Sequence, residues 1–197
     1  MANQRSAGRP RSFDEAAVLD RAVDTFWSTG AVDTTTRVLE SSLGLTQSSI
    51  YNAFGSKDEL LHRSIDRYLD LVETGLLTPL DSPDASPTNL IEFIDQLVEW
   101  ISDPIHPGCL LLNVLGETAD RDDRVVERAF AYRQRLRGAF KNALQTTGHN
   151  VRGRTELVLA SVLGLNIAAR GKANAQELGS MADALKMMIS DWAAADG

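Results

Sequence analysis

Apolar residues recur along this chain every three or four positions, and the polar residues between them carry helix-start and helix-stop chemistry. Leu19, Ala22, Val23, Phe26 and Trp27 make the first stripe. Ser12 with Glu15 forms an S-x-x-E capping box ahead of it and Gly30 stands ready to end it, so the spacing predicts a helix of about 16 residues. Two shorter helical pieces follow at 35–43 and 47–54, separated by Gly44-Leu45-Thr46. Neither is long enough to hold alone, so both must pack on the first helix. Ser56 and Glu59 repeat the capping box and open a longer helix carrying Leu60, Leu61, Ile65, Tyr68, Leu69 and Val72. A Pro/Asp/Ser-rich stretch over 78–86 then breaks the pattern.

The second half is helical again. Ser86-Pro87 places a cap residue before a proline at the first helical position; Ile91, Ile94, Val98 and Ile101 form the stripe, and Asp103-Pro104 stops it. Further helices are expected at 109–119, 123–147, 151–170 and 175–194. No strand-like alternation bounded by hairpin turns and no repeat of 20 to 50 residues is present. The fold class is all-α, with about nine helices by this spacing.

Composition narrows the functional classes. The 197 residues hold a single cysteine, Cys109, which excludes an intramolecular disulfide, and no stretch approaches the roughly 20 apolar residues that span a bilayer. An intracellular, cytoplasmic protein is expected. The formal charge of −7, from 27 acidic and 20 basic residues, argues at first against a nucleic-acid partner. The charge is unevenly spread, however. Residues 1–12 hold Arg5, Arg9 and Arg11 and no acid, which reads as a flexible basic arm. Residues 1–70 carry 8 basic and 10 acidic side chains, the remainder 12 and 17, and Gln47 to Lys57 contains no carboxylate.

That acid-free segment carries the chemistry. Two short helices joined by a turn containing Gly44 fit a helix-turn-helix, whose second helix enters the major groove of DNA. Ile50 and Phe54, four apart, face inward and leave Gln47, Ser48, Tyr51 and Asn52 outward. Gln and Asn pair bidentately with adenine, Ser bonds several groups, and Tyr reaches phosphate oxygens. The same pattern is also that of a solvated polar face on an ordinary short helix. Motifs beyond it weigh the balance. Gly8-Arg9-Pro10-Arg11, Phe26-Trp27-Ser28-Thr29-Gly30, Thr34-Thr35, Leu43-Gly44-Leu45-Thr46 and Ile50-Tyr51-Asn52-Ala53-Phe54-Gly55-Ser56-Lys57-Asp58-Glu59-Leu60 follow one another in order. Together they resemble the N-terminal domain of the TetR-type (TetR/AcrR) family of bacterial transcriptional regulators, over about the first 65 residues. Three residues depart from that pattern: Ala31 stands where an aromatic is common, Thr36 where an apolar residue is common, and Glu40 where a small Ala or Thr is usual.

The resemblance implies roles. Thr34 and Thr35 are expected to bind phosphate at the start of the second helix, Thr46 to cap the recognition helix and bind phosphate, and Lys57 to contact phosphate. Gln47, Ser48 and Asn52 are the base-reading candidates, Tyr51 a phosphate contact, and Arg9 and Arg11 enter a minor groove. It divides the chain into the arm (1–12), the helix-turn-helix domain (13–56) and a helical ligand-binding and dimerisation domain (57–197). The function that the resemblance implies is that of a repressor, a homodimer expected on a pseudo-palindromic double-stranded DNA operator and released by a small, largely apolar effector.

Within the larger domain, Phe93, Leu97 and Trp100 lie on a second face of their helix and are expected to line an effector pocket with Leu110, Val114, Phe130 and Phe140. Asn113, Glu117, Arg133, Asn166 and Arg170 are its candidate polar handles, with structural hydrogen bonds the competing explanation. Ala160, Gly164 and Ala168 are small residues at four-residue spacing, and Leu178, Met181, Leu185, Met188 and Trp192 form a stripe on the last helix. Both point to a dimer interface, with an intrasubunit core as the alternative. Cys109 raises the question of thiol sensing, against burial as a small apolar residue. His62, His106 and His149 are scattered and no catalytic motif occurs, so no enzyme, metal or cofactor is expected. A helical adaptor that binds proteins through amphipathic helices remains open from composition, though it leaves the polar second helix without a use.

Overall fold

In the computed structural model, which describes residues 13–195, nine α-helices follow one another and no strand occurs among those residues. The basic arm with Arg9 and Arg11, and the Ser12 cap, lie outside the described residues. The helices are α1 (Glu15–Thr29), α2 (Thr36–Leu43), α3 (Gln47–Phe54), α4 (Lys57–Val72), α5 (Pro87–Ile101), α6 (Leu110–Thr118), α7 (Asp123–Ala143), α8 (Val151–Arg170) and α9 (Ala175–Ala195). No helix is long and apolar enough to cross a membrane among the described residues.

Caps decide most of the boundaries. The start of α1 falls two residues later than the Ser12 box predicts, because Asp14 Oδ1 accepts from the N–H groups of Ala16 (3.0 Å) and Ala17 (3.4 Å). At the other end Gly30 turns at φ 92° with its N–H on the Phe26 carbonyl, and the α2–α3 turn passes through Gly44 at φ 66°, in the left-handed region. Ser56 caps α4 through the Glu59 N–H at 3.0 Å, but the reciprocal half of that box is diverted: the Glu59 carboxylate pairs with Arg124 of α7. Past Val72 the chain continues as a π-helical stretch, Glu73–Leu77, and a 3₁₀ turn, Thr78–Asp81. Arg135 of α7 bonds both Glu73 and Asp81 there, which ties the break in the pattern to the body of the protein. Helix α7 ends at Ala143, short of 147, where Leu144 and Thr147 close a turn.

Helix α1 packs along α4, with α2 and α3 against them; α5 packs on α9, and α7 on α8. One continuous apolar core runs from Val18 to Ile189. Trp27 joins the two halves, its ring edge-on to Tyr68 at 4.8 Å, 6.3 Å from Trp100 and 5.2 Å from His106.

The core takes up most of the expected pocket. Phe93, Leu97, Leu110 and Val114 are buried in it, and Phe93 packs on Phe140 at 5.3 Å. Trp100 is half-buried against the same core. Phe130 and Arg133, by contrast, project outward from α7, so they do not form a wall opposite Phe93. The polar handles are engaged locally. Asn113 donates to the Pro107 carbonyl at 3.1 Å, Asn166 to the Val162 carbonyl of its own helix at 2.9 Å, and Arg170 reaches Glu117. These contacts tie Asn113, Asn166 and Arg170 to different parts of the chain, while the Asn166 Oδ1 is buried with no hydrogen-bond partner among the described residues.

Two members of the expected dimer stripe, Leu178 and Leu185, are corrected. Leu178 and Leu185 are buried within the chain, on the face of α9 that packs on α5, and Trp192 is half-buried beneath the Arg154 guanidinium at 5.2 Å. Met188 is half-buried, as are Gly164 and Ala168, while Ala160 and Met181 are exposed. Leu157 and Ile167, which spacing did not single out, extend the exposed side of α8, with Ile167 68% accessible. Cys109 is buried, and burial pushes its thiol pKa up, which disfavours the thiolate form on which thiol sensing depends.

Candidate nucleic-acid interface

The site is built on α2, α3 and the turn between them. Ile50 and Phe54 anchor α3 by inserting into the core, and Phe54 also lies under the Arg63 guanidinium at 4.9 Å. Burying that face leaves Gln47, Ser48 and Asn52 exposed on the other. Their amide and hydroxyl groups offer both donors and acceptors, which is what recognition of base edges requires. Tyr51 is half-buried, and its hydroxyl lies 2.9 Å from that of Thr36. The polar residue at position 36 thus has a structural use: it bridges α2 and α3.

The hydroxyls at the helix starts divide into two kinds. Thr35 caps α2 through the Val38 N–H at 3.3 Å and is exposed; Thr46 caps α3 through the Ser49 N–H at 3.3 Å and is exposed as well. Thr34 differs. It is fully buried with its hydroxyl donated to the Gly30 carbonyl, so it closes the α1–α2 turn and is withdrawn from the outward set. Spacing alone had no means of telling a phosphate hydroxyl from a turn-closing one. Arg37, exposed in the first turn of α2 beside Thr35, is a cation that motif matching passed over; its place next to the cap was the available signal. Lys57, at the first position of α4, is half-buried and lines a cleft with Val32, Leu61, Thr118 and Arg121.

Glu117 has a role that the sequence did not reveal. From α6, 86 residues away, its Oε2 accepts from the backbone N–H of Ala31 (2.7 Å) and of Val32 (3.2 Å), while Oε1 stands 3.5 Å from Arg170 Nη2 at the end of α8. The carboxylate lies so close to Gly30 that a Cβ there would sit 2.8 Å from Oε1. Glu117 is therefore a clamp on the α1–α2 turn. Ala31 is buried at this turn, where an aromatic is common in the family it resembles.

Comparisons with known proteins agree with this geometry. Residues 18–63 match the sequence model of the bacterial regulatory proteins, tetR family. The uncharacterized HTH-type transcriptional regulator YezE of Bacillus subtilis (strain 168) is 26% identical over 138 residues, 70% of this chain and 71% of that protein. The HTH-type transcriptional repressor ComR of Escherichia coli (strain K12) is 36% identical over 67 residues, which span only 34% of this chain and 32% of the repressor. Among solved structures, a cysteine mutant of the TetR family transcriptional regulator CifR complexed with 26-bp double-strand operator DNA superposes with a TM-score of 0.80 at 21% identity, covering 91% of this chain and 98% of that one. A TetR-family regulator from Streptomyces coelicolor gives a TM-score of 0.80 at 18% identity, covering 91% of each chain. At such identities the superpositions establish the fold.

Proposed function

We propose that this chain is a member of the tetR family of bacterial regulatory proteins, a DNA-binding transcriptional regulator, and that it acts as a ligand-responsive repressor on a pseudo-palindromic operator. The observation that carries the DNA-reading part is α3 itself: an acid-free helix with its apolar side buried and Gln47, Ser48 and Asn52 presented together. In this reading Thr35, Thr46, Tyr51, Arg37 and Lys57 hold phosphates, and Arg9 and Arg11 supply the arm. The site of action is the cytoplasm, with the operator.

Two copies pair through the exposed side of α8, where Leu157, Ala160, Gly164 and Ile167 follow one another at helical spacing, and through Met181 of α9. The effector enters the larger domain. Because Phe93, Leu97, Leu110 and Val114 are packed, a ligand must displace core side chains to bind, and that displacement is what gives it different affinity for two states. Glu117 then carries the change to the α1–α2 turn.

The test is a pair of substitutions measured against an enriched duplex and a scrambled one at fixed salt. Lys57→Glu is expected to weaken binding to both about tenfold or more, and Asn52→Ala to cost about 1–3 kcal/mol on the enriched duplex only. Equal losses on both duplexes for Asn52→Ala would remove α3 from base reading.

A further inference from the structure

Glu40 spans the helix-turn-helix turn and is bonded at both of its ends. Its main-chain carbonyl accepts from the Gly44 N–H at 3.1 Å, closing α2, and its side-chain Oε1 accepts from the Gln47 N–H at 2.7 Å, at the first position of α3. The Gly44 backbone, at φ 66°, folds the chain back far enough for one residue to reach both. Thr46 takes the Ser49 N–H, so two of the unladdered N–H groups of α3 are satisfied within the protein.

The Glu40 carboxylate has two opposed effects. A charge-assisted bond on the positive end of α3 is strong and directional, and it sets the angle and register of α3 on α2. The same N–H group is one that a helix start otherwise offers to a phosphate, and here a negative charge occupies it. Near the path of a DNA backbone that charge repels every sequence alike.

We propose that Glu40 is a positioning and specificity-determining residue of the DNA-binding element. It holds the recognition helix to α2 in the geometry that reads bases, and it suppresses sequence-independent binding by denying that N–H to phosphate. This rests on the DNA-binding reading above. The charge and the brace are separable because glutamine keeps an acceptor oxygen at the same reach and alanine keeps neither.

The experiment uses the full chain, the duplex it enriches from a random library, and a scrambled duplex of the same composition, with circular dichroism to check each variant's fold. Glu40→Gln is expected to tighten both duplexes by the same factor, about threefold, leaving the ratio between them within about twofold of the wild type. Glu40→Ala is expected to tighten the scrambled duplex similarly while the ratio falls about tenfold, the order of one lost base discrimination. Identical ratios for the two variants would overturn the positioning role, and unchanged scrambled-duplex affinity in both would overturn the suppression of non-specific binding. A wild-type chain that enriches no duplex would instead overturn the DNA-binding reading on which the proposal stands.

Discussion

His62 shows how a single side chain is set by its surroundings. It is 3% exposed on α4, its Nε2 is 3.2 Å from Asp122 Oδ2, and its Nδ1 has no hydrogen-bond partner among the described residues. Burial lowers its pKa below 6.5 and outweighs the Asp122 carboxylate, which raises it together with Glu59; Arg124 and Arg128 add to the lowering. The sign follows from linkage. A histidine that is neutral when folded but protonates at its ordinary pKa when unfolded favours the folded state above about pH 6.5, and that contribution is lost as pH falls through the folded value. The urea midpoint is therefore expected to drop between pH 7.5 and 5.5, and to drop less in His62→Gln, which has no proton to take up. An equal drop in both would show that His62 does not report folding. Cys109 follows the same logic without titrating in that range, since its thiol is buried and its pKa raised.

At the scale of elements, two positive-φ glycines differ in both backbone and surroundings: Gly44 is left-handed helical (ψ 29°), Gly30 extended (ψ 157°). Gly30 (φ 92°) lies under the Glu117 carboxylate, whereas Gly44 (φ 66°) has nothing within 4 Å of an added Cβ. Gly44→Ala therefore meets only the penalty of a left-handed alanine, about 1 kcal/mol, while Gly30→Ala meets a backbone that glycine alone adopts readily and must also push the clamp off Ala31 and Val32, and is expected to cost about 1–3 kcal/mol more. Urea unfolding of both variants checks this, and equal losses would contradict it. The same elements show what was legible in advance. Helices α3 and α8 have the bounds their spacing implies, because Thr46 and the run from Val151 to Arg170 mark them locally. What local pattern could not show was which partner a polar group takes. Thr34 looks like its neighbour Thr35 until the Gly30 carbonyl claims it, and Glu117 looks like a pocket handle until the chain brings Ala31 to it. Leu178 and Leu185 read as part of a dimer stripe until the chain's own fold buries them, which is a tertiary fact that spacing does not carry.

The whole molecule is acidic, yet it carries the acid-free polar helix proposed above to read DNA. The net charge of −7 lies mostly beyond residue 70, away from α3, and the one carboxylate drawn to the start of α3 is fastened to its backbone. Such a surface displaces few counterions, so binding to arbitrary DNA is expected to be weak and the cognate site to stand out by base contacts. Head and body share one core, with Trp27, His106 and Glu117 at their junction, so a change in packing of the larger domain has a direct route to the turn that starts α2. The measurement that bears most directly on this account is selection of duplexes from a random library by the full chain, with the size of the enriched complex determined by sedimentation. The account predicts an inverted repeat whose half-sites are centred about one helical turn apart, roughly 34 Å or a multiple of it, bound by two or more copies of the chain. Enrichment of no sequence, or of a lone half-site bound by a single copy, would contradict it.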